Sequence, residues 1–154
     1  MKIIEKEVLS LQDKETLLQL WNNEYPVKLN YQAMHDFDLY LDALAEKKHY
    51  LLLDENSRIK GWAFTFLREG EDWFAIILDS DIQGSGNGRL LINELKKNKR
   101  SLNGWVIDHE NDVKLNKESY KSPLPFYIKN GFVVVEDKRY EGEKMSAVKI
   151  NWKY

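Results

Sequence analysis

Hydrophobic side chains recur along the chain with two different periods, which predict both helices and strands. A helical period follows Asp13, a residue suited to cap a helix, and stops before Pro26, which cannot continue one. A second run of helical spacing covers residues 34–47. Two more helices are predicted at 88–100, whose end is basic, and at 122–131, where proline comes early.

Strand-like runs separated by turn residues account for most of the remaining chain. They are residues 2–9, 49–55, 58–69, 72–79, 104–110, 132–137 and 144–154. Alternation in the third run puts Trp62, Phe64 and Phe66 on one side, and the fourth run is apolar on both faces, as in a central strand. The order β α α β β β α β α β β predicts an α/β (α+β) fold. Its sheet is mixed, mostly antiparallel, with about seven strands and helices on both faces.

Composition limits the classes of protein that this pattern can represent. The length of 154 residues fits one compact domain, predicted to span residues 1–154. A net charge of −2 argues against binding nucleic acid, and the absence of cysteine removes disulfides and thiolate metal sites. His35 and His49 have no companions that would make a metal site, so we expect no metal.

The expected location of the protein is the cytoplasm. The N-terminus carries charges at Glu5, Lys6 and Glu7, which is unlike a secretory signal peptide. No apolar run approaches the roughly 20 residues that cross a bilayer, so no membrane association is expected. The sequence leaves the oligomeric state open, a homodimer included.

A glycine-rich stretch, "DSDIQGSGNG" at 79–88, lies between the fourth strand and a helix. In such a turn, unpaired amides at the helix start and the helix dipole attract anions, and glycine lets a phosphate approach closely. A tight turn with no ligand is the alternative. Gly88 is followed by Arg89 and Leu90, which excludes a Walker A loop, and the G-x-G-x-G spacing excludes the Rossmann fingerprint.

A different pattern does fit these residues. Gln83–Gly88 resembles the Q/R-x-x-G-x-G/A motif of the GNAT superfamily of N-acetyltransferases, in which the turn holds the pyrophosphate of acetyl-coenzyme A. "PFYIKNGFVVVED" at 125–137 is similar to that family's "YEKLGF" segment, where a helix runs into the next strand. The predicted element order also matches, so the resemblance covers essentially the whole chain.

The resemblance implies acetyl-CoA as the acyl donor. The end of the strand at 72–79 would pair with the pantetheine arm across a V-shaped gap, and the turn would hold the pyrophosphate. Arg89 and Lys129 would add positive charge, and a solvated surface residue is the alternative for each. The implied cofactor-binding residues are Leu78, Asp79, Gln83, Gly84, Ser85, Gly86, Asn87, Gly88, Arg89 and Lys129.

The resemblance also implies an acid for the departing thiolate. Tyr127 matches the family tyrosine, and a phenol with a pKa near ~10 is protonated at neutral pH yet can release its proton; a core aromatic is the alternative. Members often have asparagine seven residues earlier, where this chain has Tyr120. The candidate bases are Asp108 and His109, at the end of the predicted strand 104–110, where alternation lets only one face a given side; a surface position with no catalytic role is the alternative for His109.

The predicted function is therefore transfer of an acetyl group from acetyl-CoA to a primary amine, directly, within a ternary complex. Residues 22–48 would contact the acceptor, and their acidic and tyrosine side chains suit a cationic amine, or else form a solvated helix face. A non-catalytic acyl-CoA sensor of the same fold is the alternative, and an interaction domain that binds no CoA is a third reading. The acceptor itself is not identified.

Overall fold

Seven strands form one sheet in a computed structural model that describes all 154 residues. The strands are β1 (Lys2–Lys6), β2 (Ala45–Leu53), β3 (Ile59–Arg68), β4 (Glu71–Leu78), β5 (Ser101–Val106), β6 (Val133–Glu141) and β7 (Ser146–Lys153). The helices are α1 (Leu11–Glu24), α2 (Met34–Asp42), α3 (Asn87–Lys96) and α4 (Leu124–Lys129). Short 3₁₀ turns lie at Val27–Leu29 and Ser80–Ile82.

The sheet order is β1-β2-β3-β4-β5-β7-β6, and one strand pair in it differs from all the others. β4 and β5 are parallel, whereas every other neighbouring pair is antiparallel. The β4–β5 pairing consists of a single bridge between Trp73 and Asn103. Beyond Trp73 the two strands separate, so the carboxyl half of β4 has no strand partner on that side. This gap positions the site described below.

The hydrophobic core lies in two layers, one on each side of the sheet. One layer packs α1 and α2 against Trp62, Phe64 and Phe66 of β3, which share a face as their alternation predicts. The other packs α3 and α4 against the opposite face, where Phe74 is buried. Because β4 contributes Trp73 to the first layer and Phe74 to the second, it is buried on both sides, and the predicted mixed fold with helices on both faces is confirmed.

Two helix boundaries differ from prediction for local reasons. Ser10 rather than Asp13 is the N-cap of α1: its hydroxyl accepts the Asp13 amide at 3.0 Å, and the Asp13 carboxylate accepts the Ser10 amide at 3.2 Å. This reciprocal capping box starts the helix three residues before the predicted cap. The second helix ends at Asp42 instead of residue 47, because the chain turns and enters β2 at Ala45.

The predicted strand at 104–110 is shifted toward the N-terminus. β5 ends at Val106, because its partner β7 pairs with it only as far as Val148. Residues 107–123 form a loop, held in part by the Ser122 hydroxyl donating to the Ile107 carbonyl at 2.6 Å. Asp108 and His109 therefore lie in the loop, where strand alternation does not set the direction of their side chains. No helix is long and apolar enough to cross a bilayer.

Candidate active site

Two cavities meet where β4 and β5 separate. The first, here called the loop cavity, has a volume of about 570 Å³ and extends from the gap to the glycine loop. The second, here called the aromatic cavity, has a volume of about 320 Å³ and lies between β4, β5, α1 and the chain after β5. Residues that line both cavities mark their junction. They are Tyr25, Ile76, Tyr120, Pro123 and Tyr127.

The backbone of β4 is available to a ligand in the gap. The Asp79 amide donates to the Lys60 carbonyl at 2.9 Å, so the polar groups of Asp79 point toward β3. Because the direction of the N–H and C=O groups alternates along a strand, the backbone polar groups of Leu78 and Ile76 point the other way, toward β5. The Leu78 carbonyl accepts the Gln83 side-chain amide at 3.0 Å, which ties the strand end to the loop.

The glycine loop presents a row of amides without partners. No protein group accepts a hydrogen bond from the backbone N–H groups of residues 84–89, and the first helical amide that is paired is that of Leu90, which donates to the Gly86 carbonyl at 3.1 Å. Gly84 and Gly86 have φ of +79° and +86°, a conformation that L side chains rarely adopt. The loop and the start of α3 therefore present unpaired backbone donors of the kind that anion-binding turns use.

Gly88 has a different role from the other two glycines. A Cβ at this position would lie 2.9 Å from two ring carbons of Phe126, so its absence lets α4 approach the start of α3. This approach brings the α4 cation Lys129 onto the same cavity as Arg89 and Lys121. The positive side chains and the unpaired amides together make this cavity suitable for a polyanionic ligand.

Three tyrosines surround the junction of the cavities. Burial raises the pKa values of Tyr25, Tyr120 and Tyr127, and a neighbouring negative charge adds to the effect: Tyr120 as an anion for Tyr25 and Tyr127, and the Asp112 carboxylate for Tyr120. Tyr127 is 6% exposed and packs against Phe74 and Phe132, with ring centroids at 5.6 and 5.5 Å. No protein group is hydrogen-bonded to its hydroxyl, so at neutral pH Tyr127 presents an O–H donor at the junction.

Glu24 is the one carboxylate on the lining of either cavity. Its oxygens accept the Ser80 amide at 3.1 Å and the Lys114 ammonium at 3.1 Å. The side chains of Glu24 and Lys114 are only 9% and 13% exposed. This buried pair connects the end of α1, the segment after β4 and the loop after β5, which are the three segments that frame the gap.

The aromatic cavity has walls of a different character. Of its 20 lining residues 17 are hydrophobic, and the charged one is Arg68. The predicted acceptor region contributes its tyrosines but not its helical acidic residues: Tyr31 and Tyr40 line this cavity, whereas Asp38 forms an ion pair with Lys14 at 2.8 Å. The acidic mouth expected from the sequence is thus reduced to Glu24.

Asp108 and His109 are not brought to the junction, and they line neither cavity. Asp108 accepts two hydrogen bonds from Arg139 at 2.8 and 3.1 Å, and that guanidinium lowers the pKa of the carboxyl. His109 accepts the Asn111 amide on Nδ1 at 3.1 Å. His109 forms its contact within the loop, and Asp108 forms its contacts with the hairpin of β6 and β7. These contacts could not be predicted from the sequence, because the strand was expected to continue through both residues.

The predicted cofactor residues are brought together in part. Those on the loop cavity are Leu78, Gln83, Gly84, Gly86, Gly88, Arg89 and Lys129. Asp79 is not on it, because its backbone is used by β3 and by the turn that follows. The Ser85 and Asn87 side chains do not line it either, so only their amides are available. Sequence reasoning missed Ile76, although alternation from Leu78 would have placed both on the same side of β4.

Comparison with known families gives the site a context. The sequence profile described as "Acetyltransferase (GNAT) domain" matches residues 22–153, which includes the gap, the glycine loop and both final strands. The chain belongs to the GNAT family of acetyltransferases. The prediction of a GNAT-type N-acetyltransferase is therefore confirmed at the level of the family. A search of curated proteins finds no match to this GNAT chain.

Solved structures with the same fold have low sequence identity to this GNAT protein. An aminoglycoside 6'-N-acetyltransferase complexed with coenzyme A has 15% identity and a TM-score of 0.74, with 99% of this chain and 97% of that chain covered. A phosphinothricin acetyltransferase from Sinorhizobium meliloti, in complex with AcCoA, has 14% identity and a TM-score of 0.67, with 99% and 89% covered. A spermidine/spermine N-acetyltransferase from Vibrio cholerae has 17% identity and a TM-score of 0.63, with 99% and 92% covered. At these identities the likeness establishes the fold.

Proposed function

We propose that residues 1–154 act as one acetyl-CoA-dependent N-acetyltransferase, which transfers an acetyl group directly to a primary amine while both substrates are bound. The observation that carries this proposal is the connection of the two cavities at Tyr127. One cavity has unpaired amides and cations that suit the donor, and the other has aromatic walls that suit an organic acceptor. Family membership supports the reaction class.

The loop cavity fits acetyl-CoA in both charge and shape. The pyrophosphate would be held by the amides of residues 84–89, with Arg89 and Lys129 adding positive charge. The pantetheine arm would lie along β4 and pair with backbone groups of Ile76 and Leu78, which have no strand partner on the β5 side. The open space at Gly84 and Gly86 leaves the phosphate path free of Cβ atoms. The solved neighbours crystallised with CoA or AcCoA are consistent with this ligand.

The reaction requires a neutral amine and a proton for the thiolate. The amine nitrogen forms a bond to the acetyl carbonyl carbon, the carbon–sulfur bond breaks, and the electron pair leaves on sulfur. Tyr127 donates its phenolic proton to that sulfur. The attack leaves the amine nitrogen positively charged, and the proton that this nitrogen then loses restores the phenol. The products are the N-acetyl amine and free CoA thiol. Burial keeps the phenol protonated until a thiolate forms beside it.

The proton of the incoming ammonium needs an acceptor on the gap side. Asp108 and His109 line neither cavity, so we assign this role to Glu24 acting through water. Glu24 lines the loop cavity next to Tyr25, and its carboxylate lies 3.1 Å from the Lys114 ammonium. A carboxylate at this position also favours approach of a cationic amine to the junction.

A sensor that binds acyl-CoA without turnover is the second candidate. It is favoured by one observation: both oxygens of Glu24 already accept hydrogen bonds from the protein, so no carboxylate is free of partners. The two candidates share the loop cavity and differ only in chemistry. Calorimetric titration with acetyl-CoA tests the shared part, and amine-dependent release of CoA thiol tests the enzyme.

Tyr127→Phe provides the sharper test, with Tyr50→Phe as the matched control. Tyr50 is also buried, at 7% exposed, but lines neither cavity. We expect Tyr127→Phe to keep acetyl-CoA affinity and to lose turnover by roughly 10²-fold or more, as general acids contribute. If Tyr127→Phe has the same turnover as Tyr50→Phe, Tyr127 contributes only to packing.

A further inference from the structure

The aromatic cavity has one charged group, and that group has no protein partner. The arginines that form ion pairs in this chain are Arg58 and Arg139. Arg68 instead lies over two aromatic rings, with its guanidinium carbon 4.9 Å from the Phe66 centroid and 5.2 Å from that of Trp73. An exposed guanidinium held over rings and free of carboxylates is ready to bind an anion.

A second donor lies beside it. The indole nitrogen of Trp73 is buried and has no hydrogen-bond partner in the protein. Buried donors without partners are rare, because each one forgoes the hydrogen bond that it makes in water. Trp73 lines the aromatic cavity, and Arg68 lies over its ring. An oxygen anion placed between them would satisfy both donors.

We propose that the acceptor amine carries a carboxylate, which Arg68 binds together with Trp73 at the end of the aromatic cavity away from Tyr127. This inference rests on the proposed acetyl transfer and identifies the class of acceptor. The acceptor is an amine with an apolar or aromatic body, and its anionic group lies opposite the nitrogen that is acetylated.

The strand geometry sets the length of such an acceptor. Trp73 marks the Arg68 end of the cavity, and Ile76 marks the junction with Tyr127. Three residues of extended strand separate them, which is roughly 10 Å. The amine and the carboxylate should therefore be separated by about that distance, with an aromatic ring between them against the cavity walls.

The same cavity disfavours amines with several positive charges. Its lining has no carboxylate, and Arg68 would repel a second ammonium group. Hydrophobic walls would also remove water from that ammonium without replacing the lost hydrogen bonds. The lone carboxylate next to the junction, Glu24 on the loop cavity, matches a single amine.

The test compares two probes that differ only in charge: 3-[4-(aminomethyl)phenyl]propanoate and its primary carboxamide. Binding to the CoA-saturated protein is followed by quenching of the tryptophans that line the cavity, Trp21, Trp73 and Trp105. Acetylation is followed by thiol release. We expect the carboxylate probe to bind at least about tenfold more tightly than the carboxamide, because a hydrogen bond to a charged group contributes more than one to a neutral group.

Arg68→Gln should remove this preference while leaving carboxamide binding within about twofold. Arg100→Gln is the matched control, because Arg100 is also exposed and lines neither cavity. Equal affinity of the wild type for both probes, no binding of either, or a preference that survives Arg68→Gln would each overturn the inference. A carboxylate preference without thiol release would support the subsite and count against the proposed transfer reaction, so the two failures are distinguishable.

Discussion

Gly86→Ala should weaken CoA binding at the glycine loop while the protein remains folded. Gly86 has φ of +86° and ends the loop before α3, and a Cβ added there would meet nothing within 4 Å. The added methyl group therefore causes no clash inside the protein. It projects into open space beside the unpaired amides of the loop cavity, where we place the pyrophosphate.

Gly70→Ala is the control, because it reproduces the strain without the site. Gly70 has φ of +76°, also has nothing within 4 Å of its added Cβ, lies in the turn between β3 and β4, and lines neither cavity. Each substitution forces an L residue into the left-handed region, at a cost of roughly 1–2 kcal/mol. For a domain of this size that lowers Tm by roughly 2–8 °C.

The effect on affinity should differ between the two variants. Displacing a phosphate from two amides removes two hydrogen bonds to a charged group, each contributing about 1.5–3 kcal/mol. A loss of about 3 kcal/mol corresponds to roughly 100-fold weaker CoA binding, since about 1.4 kcal/mol is tenfold. Titration calorimetry with CoA measures it, and pantetheine, which lacks the pyrophosphate, should bind both variants equally. If folded Gly86→Ala binds CoA within about threefold of Gly70→Ala, the loop is not the pyrophosphate site.

Four further outcomes follow from the site and its surroundings. Tyr127→Phe should change Tm little, because no protein group is bonded to the hydroxyl it removes, and thermal unfolding checks this. Glu24→Gln leaves the buried ammonium of Lys114 without its partner, so we expect a loss of roughly 3 kcal/mol in the free energy of unfolding by urea; an unchanged value would mean that the pair contributes nothing. The pKa of the Asp108 carboxyl is lowered in the folded state by its arginine partner, so its stabilisation is present above the unfolded pKa and lost as the pH falls through the folded one. Asp108→Asn should therefore lower Tm at neutral pH but not in acid, without slowing thiol release; slowed release at unchanged Tm would restore it as a base. Burial lowers the pKa of His49 to about 4, so stability should be lost as the pH falls from the ordinary histidine range toward about 4, and an NMR titration of its ring at an ordinary value would refute that assignment.

The sequence predicted the fold well because its signals are local and periodic. Trp62, Phe64 and Phe66 alternate within one strand, and β4, which is buried on both faces, is apolar at every position from Trp73 to Leu78. The glycine loop could be identified because glycine marks a backbone conformation directly. Two of its glycines do have positive φ, and the third admits a neighbouring ring.

The catalytic side of the site could not be predicted in the same way. Glu24 and Lys114 are 90 positions apart and become partners only because the end of α1 meets the loop after β5. Asp108 was expected at a strand end because nothing local indicates that β7 stops pairing at Val148 or that Arg139 lies opposite. Long-range ion pairs of this kind have no periodic signal.

The acceptor side depends on the same long-range packing. The aromatic cavity draws its walls from α1, β3, β4, β5 and the final hairpin, so no single stretch of sequence has its composition. The acidic residues of α2 suggested a cationic acceptor, but they face solvent or pair with lysines, as Asp38 does with Lys14. The acidic residues of the sequence therefore predicted a negative acceptor site, whereas the one charged residue on the wall of the aromatic cavity is Arg68.

In the proposed reaction, acetyl groups pass from one cavity to the other at Tyr127. The most direct test incubates the protein with acetyl-CoA and 3-[4-(aminomethyl)phenyl]propanoate and measures free CoA thiol and acetylated amine by mass spectrometry. We expect equal amounts of both products, dependent on the amine and strongly reduced in Tyr127→Phe. Tight binding of acetyl-CoA without product from this probe or from a panel of other primary amines would contradict it and favour a sensor.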